Sequence, residues 1–240
     1  MHKLQVLLLC AGEGRRMFPL TMAKAKPALK VGDHSIVSRL IMQTYSIIAP
    51  HEIWVNVGYL ASTILEEGHR LNLGGKLRFI YEPNVLGSFQ TLIFLMRESP
   101  VDTLILHGDL VLSDRYISRL KEVMQRKSDT SFVVYHYRAA RNSRSNLKIK
   151  NGFVTDFEND VSSKCSSNRI AVNSGIYFVR SRDIGSLNVN SSIAQLYPVG
   201  LSHIQRHGPI RAIHMGTQGR VSAESPRDLK RANSVFGKTF

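Results

Sequence analysis

Short apolar runs alternate along the first half of the chain with segments whose apolar residues recur at helical spacing. The apolar runs predict strands at Leu4–Leu9, Glu52–Val57, Leu77–Tyr81, Thr103–Leu106 and Thr130–Tyr137. Helical spacing predicts helices at His34–Ile48, Ala61–Arg70, Ser88–Arg97 and Asp114–Arg126, the last with Ser113 as its cap. Strands and helices that alternate in this way predict an α/β fold with an open, mostly parallel sheet and right-handed crossovers.

The pattern changes in the second half of the chain. Asn146–Phe157 predicts a hairpin that turns at Lys150-Asn151-Gly152, and Ala171–Val179 predicts a further strand. Residues 183–206 have a mixed pattern that predicts no single element. A last helix is expected over Ser225–Phe236, with Ser225 as its cap and Pro226 in its first position. We expect one domain over residues 1–240, with a core up to residue 137 and a later lobe from residue 138.

The charge of the chain is unusual, whereas its composition is ordinary. Hydrophobic residues make up 43% and charged residues 21% of the 240 residues, as in globular proteins, but the net charge is +14. Such a surface attracts phosphates of every kind. The densest basic stretches, Tyr137–Lys150 and the segment from Arg220, lack the interleaved aromatic residues of a single-strand binding platform. We therefore expect solvated surface charge rather than a nucleic-acid partner.

Cysteine content and hydropathy favour a cytoplasmic protein. Cys10 and Cys165 are too few for a disulfide framework, and Cys10 lies in an apolar run where a reduced, buried thiol is expected. The apolar run Leu4–Ala11 is too short to cross a membrane, and it has no signal-peptide cleavage pattern. We expect no membrane insertion.

A glycine-rich segment follows the first predicted strand, at the end of a parallel strand where ligands bind in open α/β sheets. It reads Ala11-Gly12-Glu13-Gly14-Arg15-Arg16-Met17-Phe18-Pro19-Leu20-Thr21, with Lys26-Pro27 a little further on. Glycines let backbone amides approach phosphate oxygens, and Arg16 and Lys26 add two cations. Met17 replaces the third glycine of a dinucleotide motif, and the Gly-Lys-Ser/Thr of a P-loop is absent.

This segment resembles the opening motif of the sugar-phosphate nucleotidyltransferases, a family that includes choline-phosphate cytidylyltransferase-like members. The matching residues are Gly12, Gly14, Arg16, Met17, Pro19, Leu20, Thr21, Lys26 and Pro27, whereas Ala25 stands where the family usually has proline. The resemblance implies a Rossmann-like sheet and Mg²⁺-dependent transfer of a nucleoside monophosphate from an NTP to a phosphorylated acceptor. It implies that Arg16 holds the triphosphate and that Lys26 bridges the α-phosphate and the acceptor phosphate. Residues 1–137 would then be the nucleotide-binding core and residues 138–240 the acceptor-side lobe.

Two further motifs would complete the nucleotide site. His107-Gly108-Asp109 ends a predicted strand, and by resemblance Asp109 is a catalytic Mg²⁺ ligand, although Gly-Asp is also common in turns. Glu82 and the later Leu86-Gly87-Ser88 resemble the segment that packs on the nucleobase, although Ser88 could equally cap a helix. The residues expected to bind the nucleotide are Ala11, Gly12, Glu13, Gly14, Arg15, Arg16, Glu82, Gly87, Ser88 and Asp109.

Two motifs in the second half concern the acceptor and a second metal ligand. Val172-Asn173-Ser174-Gly175-Ile176-Tyr177 resembles the family strand whose asparagine and glycine face the acceptor, so Asn173 and Gly175 join Lys26 as acceptor-binding residues; a plain glycine bulge is the alternative. Near the C-terminus, Ser222 replaces the aspartate that many members use as the second metal ligand. Glu224 matches a variant with an acidic residue before the serine, and otherwise it stabilises the first turn of the last helix.

One difference from the family pattern leaves the identity of the acceptor open. Many members have a Glu-Lys-Pro whose lysine contacts the acceptor phosphate, and the corresponding stretch here is Phe157-Glu158-Asn159-Asp160. Lys164, Arg169 or Arg180 are candidate substitutes. The nucleobase, a sugar or non-sugar acceptor such as phosphocholine, a role in glycan assembly and a homo-oligomer all remain open. A catalytically weak, nucleotide-binding member of the same fold is the alternative function.

Overall fold

The computed structural model describes residues 3–127, 129–139, 144–160, 169–184 and 194–237. The strands in chain order are β1 (Leu4–Leu9), β2 (Lys30–Val31), β3 (His34–Ser35), β4 (Glu52–Val57), β5 (Leu77–Tyr81), β6 (Asp102–His107), β7 (Leu110–Leu112), β8 (Phe132–Ala139), β9 (Arg144–Lys150), β10 (Phe153–Asp160), β11 (Arg169–Val179), β12 (Arg211–His214) and β13 (Arg220–Ser222). The α-helices are α1 (Ile36–Gln43), α2 (Ala61–His69), α3 (Ser88–Glu98), α4 (Asp114–Lys127), α5 (Leu201–Gln205) and α6 (Pro226–Phe236). Every predicted strand and helix is present, with shifts at some ends.

The chain forms two compact units. The first contains Met1–Val85, Ile105–Arg126 and Gln218–Phe240. Its sheet is parallel where β1 pairs with β4 and β4 pairs with β5, and the end of β6 lies on the other side of β1. This parallel arrangement confirms the α/β fold that the alternating pattern predicts. The division into a core and a lobe at residue 137 stays a prediction.

The core of the first unit explains why its strands are almost continuously apolar. Val6, Leu7 and Leu8 of β1 are fully buried, as are three residues of β4, namely Ile53, Val55 and Val57. A parallel strand that is covered on both faces must be apolar on both, so it shows no alternation. Helix α1 contributes four fully buried side chains at helical spacing: Ile36, Val37, Leu40 and Ile41.

A short antiparallel ribbon joins two distant parts of the chain within the first unit. In it β7 pairs with β13, and Leu110 lies opposite Ser222. The pairing continues beyond the strands, because the Ala223 N–H donates to the Asp109 carbonyl at 2.8 Å. The ribbon therefore brings the residues just before β7 and just after β13 to the same place.

The second unit contains Leu86–Leu104 and Lys127–Thr217, and its sheet is mixed. The strand order is β11-β8-β12-β10-β9, and β9 also pairs with β11. Only β8 and β12 are parallel; the other described pairs are antiparallel. The expected hairpin joins β9 and β10, and Asn151 (φ 52°) and Gly152 (φ 79°) both have the positive φ of a two-residue hairpin turn.

Helix α6 begins with the predicted cap, and this allows a stability prediction. The Ser225 Oγ accepts from the Asp228 N–H, the Asp228 carboxylate accepts from the Ser225 N–H, and Pro226 is the first helical residue. Ser225→Ala should lower the free energy of unfolding by about 1 kcal/mol, measured by urea denaturation. Ser234→Ala, on the exposed part of the same helix, is the control and should change it by less than about 0.5 kcal/mol. Equal losses would contradict the capping role.

Candidate active site

The glycine-rich segment starts from an anchor at the ends of the parallel strands. Asn56, near the end of β4, accepts hydrogen bonds from the Cys10 N–H at 2.5 Å and the Ala11 N–H at 3.3 Å. The Asn56 side-chain amide in turn donates to Glu82 Oε1 at 3.0 Å, and Glu82 is buried. The first amides of the segment are thus held by the protein itself. Sequence reasoning selected Glu82 but missed Asn56, whose only signal is a polar residue inside an apolar run.

The two glycines of the motif have different surroundings. Gly14 has a φ of 65°, which favours glycine, and its carbonyl accepts from the Met17 N–H at 2.8 Å and the Thr21 hydroxyl at 3.1 Å. A Cβ added at Gly14 would lie 2.9 Å from the Lys26 Cβ. A Cβ added at Gly12 would have nothing within 4 Å. Gly14 is therefore required by the fold of the loop, whereas Gly12 borders open space.

This difference predicts opposite effects of two matched substitutions. Gly14→Ala should lower the free energy of unfolding by about 1–3 kcal/mol, because it strains the backbone and pushes on Lys26. Gly12→Ala should leave stability unchanged but weaken NTP binding, if the open space beside Gly12 receives phosphates. Thermal unfolding and NTP titration of both variants check this. A Gly12→Ala protein that binds NTP like the unaltered protein would contradict the expectation for Gly12.

Four charged residues that the sequence selects meet in the first unit as two ion pairs. Lys26 Nζ lies 2.7 Å from Asp109 Oδ2, and both side chains are largely buried, with exposed fractions of 17% and 12%. Arg16 Nη1 lies 2.6 Å from Glu224 Oε2 near the surface, with exposed fractions of 68% and 47%. Each pair joins a predicted phosphate-binding cation to a predicted metal-binding carboxylate. Arg15 and Glu13 form a separate exposed pair.

The β7–β13 ribbon explains how Asp109 and Glu224 come together. Asp109 directly precedes β7, and Glu224 lies two residues after the end of β13. Ser222, which stands where many family members have aspartate, lies beside Glu224, with 3.5 Å between the Ser222 Oγ and Glu224 Oε1. Glu224 therefore places a carboxylate close to position 222, and its role as a second metal ligand stays a prediction.

Asp109 is a carboxylate under ordinary conditions. Burial on its own raises the pKa of Asp109, but nearby positive charge, chiefly that of Lys26, and the Lys26 hydrogen bond outweigh burial and hold the pKa below its ordinary value. Burial lowers the pKa of His107, and the nearby Asp109 offsets this only in part. Around neutral pH the site therefore holds an ionised Asp109 beside a neutral imidazole.

Cys10 packs beneath this site. Burial raises the pKa of its thiol. A Cβ added at Gly108 would lie 2.5 Å from the Cys10 Sγ, so Gly108 is needed for close packing against β1. This confirms the expected buried thiol at Cys10; Cys165 lies outside the described residues.

The oxygen donors of the site suit a hard divalent cation. Asp109 Oδ1 is buried and accepts no hydrogen bond within the described part of the chain. A buried carboxylate oxygen without a donor is costly unless a ligand completes it. Across residues 3–127, 129–139, 144–160, 169–184 and 194–237, no three His, Cys, Asp or Glu side chains form a metal cluster. Two carboxylates fit Mg²⁺, which is usually held by one or two carboxylates together with phosphates and waters.

In the second unit, Gly87 and Ser88 have partners within the protein. Gly87 has a φ of 97°, and a Cβ added there would lie 2.4 Å from the Ala194 carbonyl oxygen. The Ser88 Oγ accepts from the Leu196 N–H at 2.8 Å, and the Phe89 N–H donates to the Ala194 carbonyl at 2.8 Å. Packing against the segment at Ala194 and Leu196 therefore explains why a glycine and a serine stand at these two positions. Contact of Gly87 and Ser88 with a nucleobase stays a prediction.

Asn173 and Gly175 form an irregularity in β11. The register against β8 shifts between Asn173 and Tyr177, and Gly175 has a φ of 70°. The Asn173 Oδ1 accepts from the Gly175 N–H at 2.9 Å, and its amide donates to the Tyr177 hydroxyl. The glycine bulge that the sequence allowed as the alternative is therefore present, and the acceptor contact of Asn173 and Gly175 stays a prediction.

The candidate substitutes for the missing acceptor lysine differ in their surroundings. Arg180 is largely buried and pairs with Asp102 at 3.2 Å, so it has a structural role. Arg169 is exposed at the start of β11. Lys164 lies outside the described residues, and the side chains of Glu158, Asn159 and Asp160 lie outside them too.

A glycine loop at the end of a parallel strand, with cations and carboxylates beside it, is typical of proteins that bind phosphorylated nucleotides. Residues 5–146 match the model of the nucleotidyl transferase family, and the chain belongs to that family. This confirms the resemblance to sugar-phosphate nucleotidyltransferases. Within the described residues, no helix has the length and apolar character needed to cross a membrane.

Known proteins resemble the chain in sequence and in fold. Bifunctional protein GlmU of Methanococcus aeolicus is 29% identical over 111 residues, which are 46% of this chain and 26% of that protein. GlmU of Methanococcus maripaludis strain C7 is 24% identical over a stretch with the same shares of each chain. The chain thus matches about a quarter of the length of these curated relatives.

Among solved structures, HddC from Yersinia pseudotuberculosis, complexed with GMP-PN, has a TM-score of 0.76 and 17% identity, covering 98% of this chain and 100% of that chain. A Bacillus anthracis protein assigned as a glucose-1-phosphate thymidylyltransferase, in complex with sucrose, has a TM-score of 0.79 and 16% identity. The match covers 99% of this chain and 96% of that chain. At this identity the two structures confirm the fold.

Proposed function

We propose that the protein transfers a nucleoside monophosphate from an NTP to a small phosphorylated acceptor and releases pyrophosphate. The observation that carries the proposal is the meeting of Arg16, Lys26, Asp109 and Glu224 as two ion pairs. Such a set supplies cations for phosphate oxygens and carboxylates for a metal. Family membership supports the same reaction class.

In the proposed reaction, a phosphate oxygen of the acceptor attacks the α-phosphorus in line, and pyrophosphate leaves. Arg16 binds the oxygens of the β- and γ-phosphates and stabilises the leaving pyrophosphate. Lys26 neutralises the α-phosphate and the incoming phosphate, which reduces the repulsion between two anions. An ionised phosphate needs no general base, which fits a site where the partly buried His107 has a pKa below its ordinary value and is neutral. Catalysis then depends on positioning and charge.

We propose Mg²⁺ as the cofactor, with Asp109 as its first protein ligand and Glu224 as its second. Asp109 Oδ1, which accepts no hydrogen bond from the described residues, supports this assignment, as does the nearness of Glu224 to Ser222. When bound, Mg²⁺ supplies charge neutralisation and orientation of the phosphate oxygens.

The substrates are proposed by class. The structural relative assigned as a glucose-1-phosphate thymidylyltransferase, together with the family, favours a sugar phosphate as acceptor and a role in nucleotide-sugar supply for polysaccharides. Because the lysine that contacts the acceptor phosphate in many family members is absent from this sequence, non-sugar phosphates should be tested as acceptors too. We propose Asn173, Gly175 and the exposed Arg169 as acceptor-side residues, and the cytoplasm as the location.

A pyrophosphate-release screen tests the proposal. Each of the four NTPs is combined with Mg²⁺ and with a panel of sugar 1-phosphates, other sugar phosphates, phosphocholine and an unphosphorylated sugar as the negative control. The expected result is release with one NTP and one acceptor class, and none without the acceptor phosphate. NTP binding without release for any combination would overturn the enzyme proposal in favour of a nucleotide-binding protein of the same fold.

A further inference from the structure

Both ion pairs of the site join a cation that is proposed to bind phosphate to a carboxylate that is proposed to bind the metal. Lys26 contacts Asp109, and Arg16 contacts Glu224, although the proposed reaction requires each of the four to bind something else. We propose that these pairs are the resting state of a counter-ion exchange, so that the free protein binds metal weakly and metal and triphosphate promote each other's binding. This inference rests on the proposed function, and its main test requires no turnover.

The charges of the site explain the coupling. Two cations and two carboxylates neutralise each other in the free protein. A metal ion that binds alone must displace Lys26 from Asp109 and leave an ammonium beside a divalent cation, which is repulsive. A triphosphate that binds alone attracts Lys26 and Arg16 and leaves two carboxylates facing phosphate oxygens. When both bind, every charge has an opposite partner, so each ligand removes the penalty that the other meets.

The two ion pairs contribute unequally to the coupling between metal binding and triphosphate binding. The Lys26–Asp109 pair is less than one-fifth exposed on either side, whereas both side chains of the Arg16–Glu224 pair are close to half exposed or more. Water and salt screen the exposed pair, so it contributes little to the coupling. The coupling should therefore depend mainly on Lys26 and Asp109.

The position of Lys26 supports an exchange by its side chain alone. Its backbone lies in a short 3₁₀ turn with Pro27, and a Cβ added at Gly14 would lie 2.9 Å from its Cβ, so little space separates the two segments. One oxygen of Asp109 accepts from Lys26, and the other, Oδ1, is the buried oxygen without a donor among the described residues. Asp109 is thus half satisfied in the free protein, and departure of the Lys26 ammonium would open its second oxygen.

The first test measures metal affinity without nucleotide. Lys26→Met should raise the affinity of the free protein for Mn²⁺, measured by calorimetry with Mn²⁺ as the Mg²⁺ probe, by roughly tenfold, within the range of such coupling. Lys148→Met is the matched control, because Lys148 pairs with Asp156 at 3.2 Å on an exposed surface of the other unit. It should leave Mn²⁺ affinity unchanged. Thermal unfolding verifies that both variants are folded, and Lys26→Gln repeats the test with a polar side chain.

The second test asks whether the effect of Asp109→Asn on the affinity for an NTP analogue changes direction when Mg²⁺ is added. In EDTA, Asp109→Asn should bind a non-hydrolysable NTP analogue several-fold more tightly than the unaltered protein, because Lys26 is released and a facing negative charge is removed. In excess Mg²⁺, the same substitution should weaken binding of that analogue. A variant that merely damages the site would bind more weakly under both conditions.

The outcomes separate this inference from the proposed function. If Lys26→Met and Lys26→Gln bind Mn²⁺ no more tightly than the unaltered protein, the exchange is wrong, even if pyrophosphate release is observed. Weaker analogue binding by Asp109→Asn in EDTA would also overturn it. If the affinity shifts appear and no NTP gives pyrophosphate release, the exchange stands and the proposed reaction fails.

Discussion

Lys26→Ala is expected to lower kcat by about 10²–10³-fold at saturating Mg²⁺ while changing the dissociation constant for NTP by less than about fivefold. The reason is that Lys26 is proposed to contact the α-phosphate and the attacking phosphate, where negative charge approaches negative charge during the reaction. The ground-state triphosphate is held mainly by Arg16 and the metal. An interaction that strengthens only in the transition state appears in kcat rather than in binding.

Single-turnover rates and a separate NTP titration measure the two effects of Lys26→Ala. Lys24→Ala is the matched control, because Lys24 lies two residues away and is exposed. It should leave both quantities unchanged, whereas a change similar to that of Lys26→Ala would mean that only the general positive potential matters. Equal losses in kcat and NTP affinity after Lys26→Ala would argue against the bridging role.

The parts of the fold that rest on local periodicity are predictable from the sequence. The bounds of β1, β4 and β5 agree with the predicted strands. β1 is buried on both faces and is therefore apolar throughout, whereas β5 is only partly buried but still carries a short, mostly apolar run. The cap of α6 is also local, since Ser225, Pro226 and Asp228 are neighbours along the chain. By contrast, the predicted helix from His34 begins at Ile36, because His34 and Ser35 pair in a short strand with Lys30 and Val31.

The parts of the site that rest on contacts between distant residues are not predictable in the same way. The pairing of β7 with β13 involves strands of three residues, which are too short to give a periodic signal. Asn56 holds the start of the glycine loop, but its sequence neighbours give no indication of this. The close approach of Ala194 to Gly87 likewise needs the folded chain. The family motif supplied Asp109 and Lys26 as candidates, but only folding shows that they form an ion pair.

Asp109→Asn should reduce turnover by about 10³-fold and should not be rescued by raising the Mg²⁺ concentration. Asp109 is the proposed first ligand, it is largely buried, and its pKa is held below the ordinary range, so the substitution removes a negative charge from the site. Among the described residues, no third acidic, histidine or cysteine side chain completes a metal cluster with it. Asp156→Asn, an exposed carboxylate in the other unit, is the control and should leave turnover unchanged.

Glu224→Gln should behave differently from Asp109→Asn, and the contrast tests which of the two carboxylates is the principal metal ligand. Glu224 is close to half exposed, so water could take over its proposed position at the metal. Turnover should fall by only about tenfold and should recover at high Mg²⁺, because the loss is one of metal affinity rather than of phosphate positioning. The measurement is kcat as a function of Mg²⁺ concentration for both variants. If Glu224→Gln resisted rescue while Asp109→Asn recovered, the two carboxylates would have exchanged roles, and Glu224 would be the principal ligand.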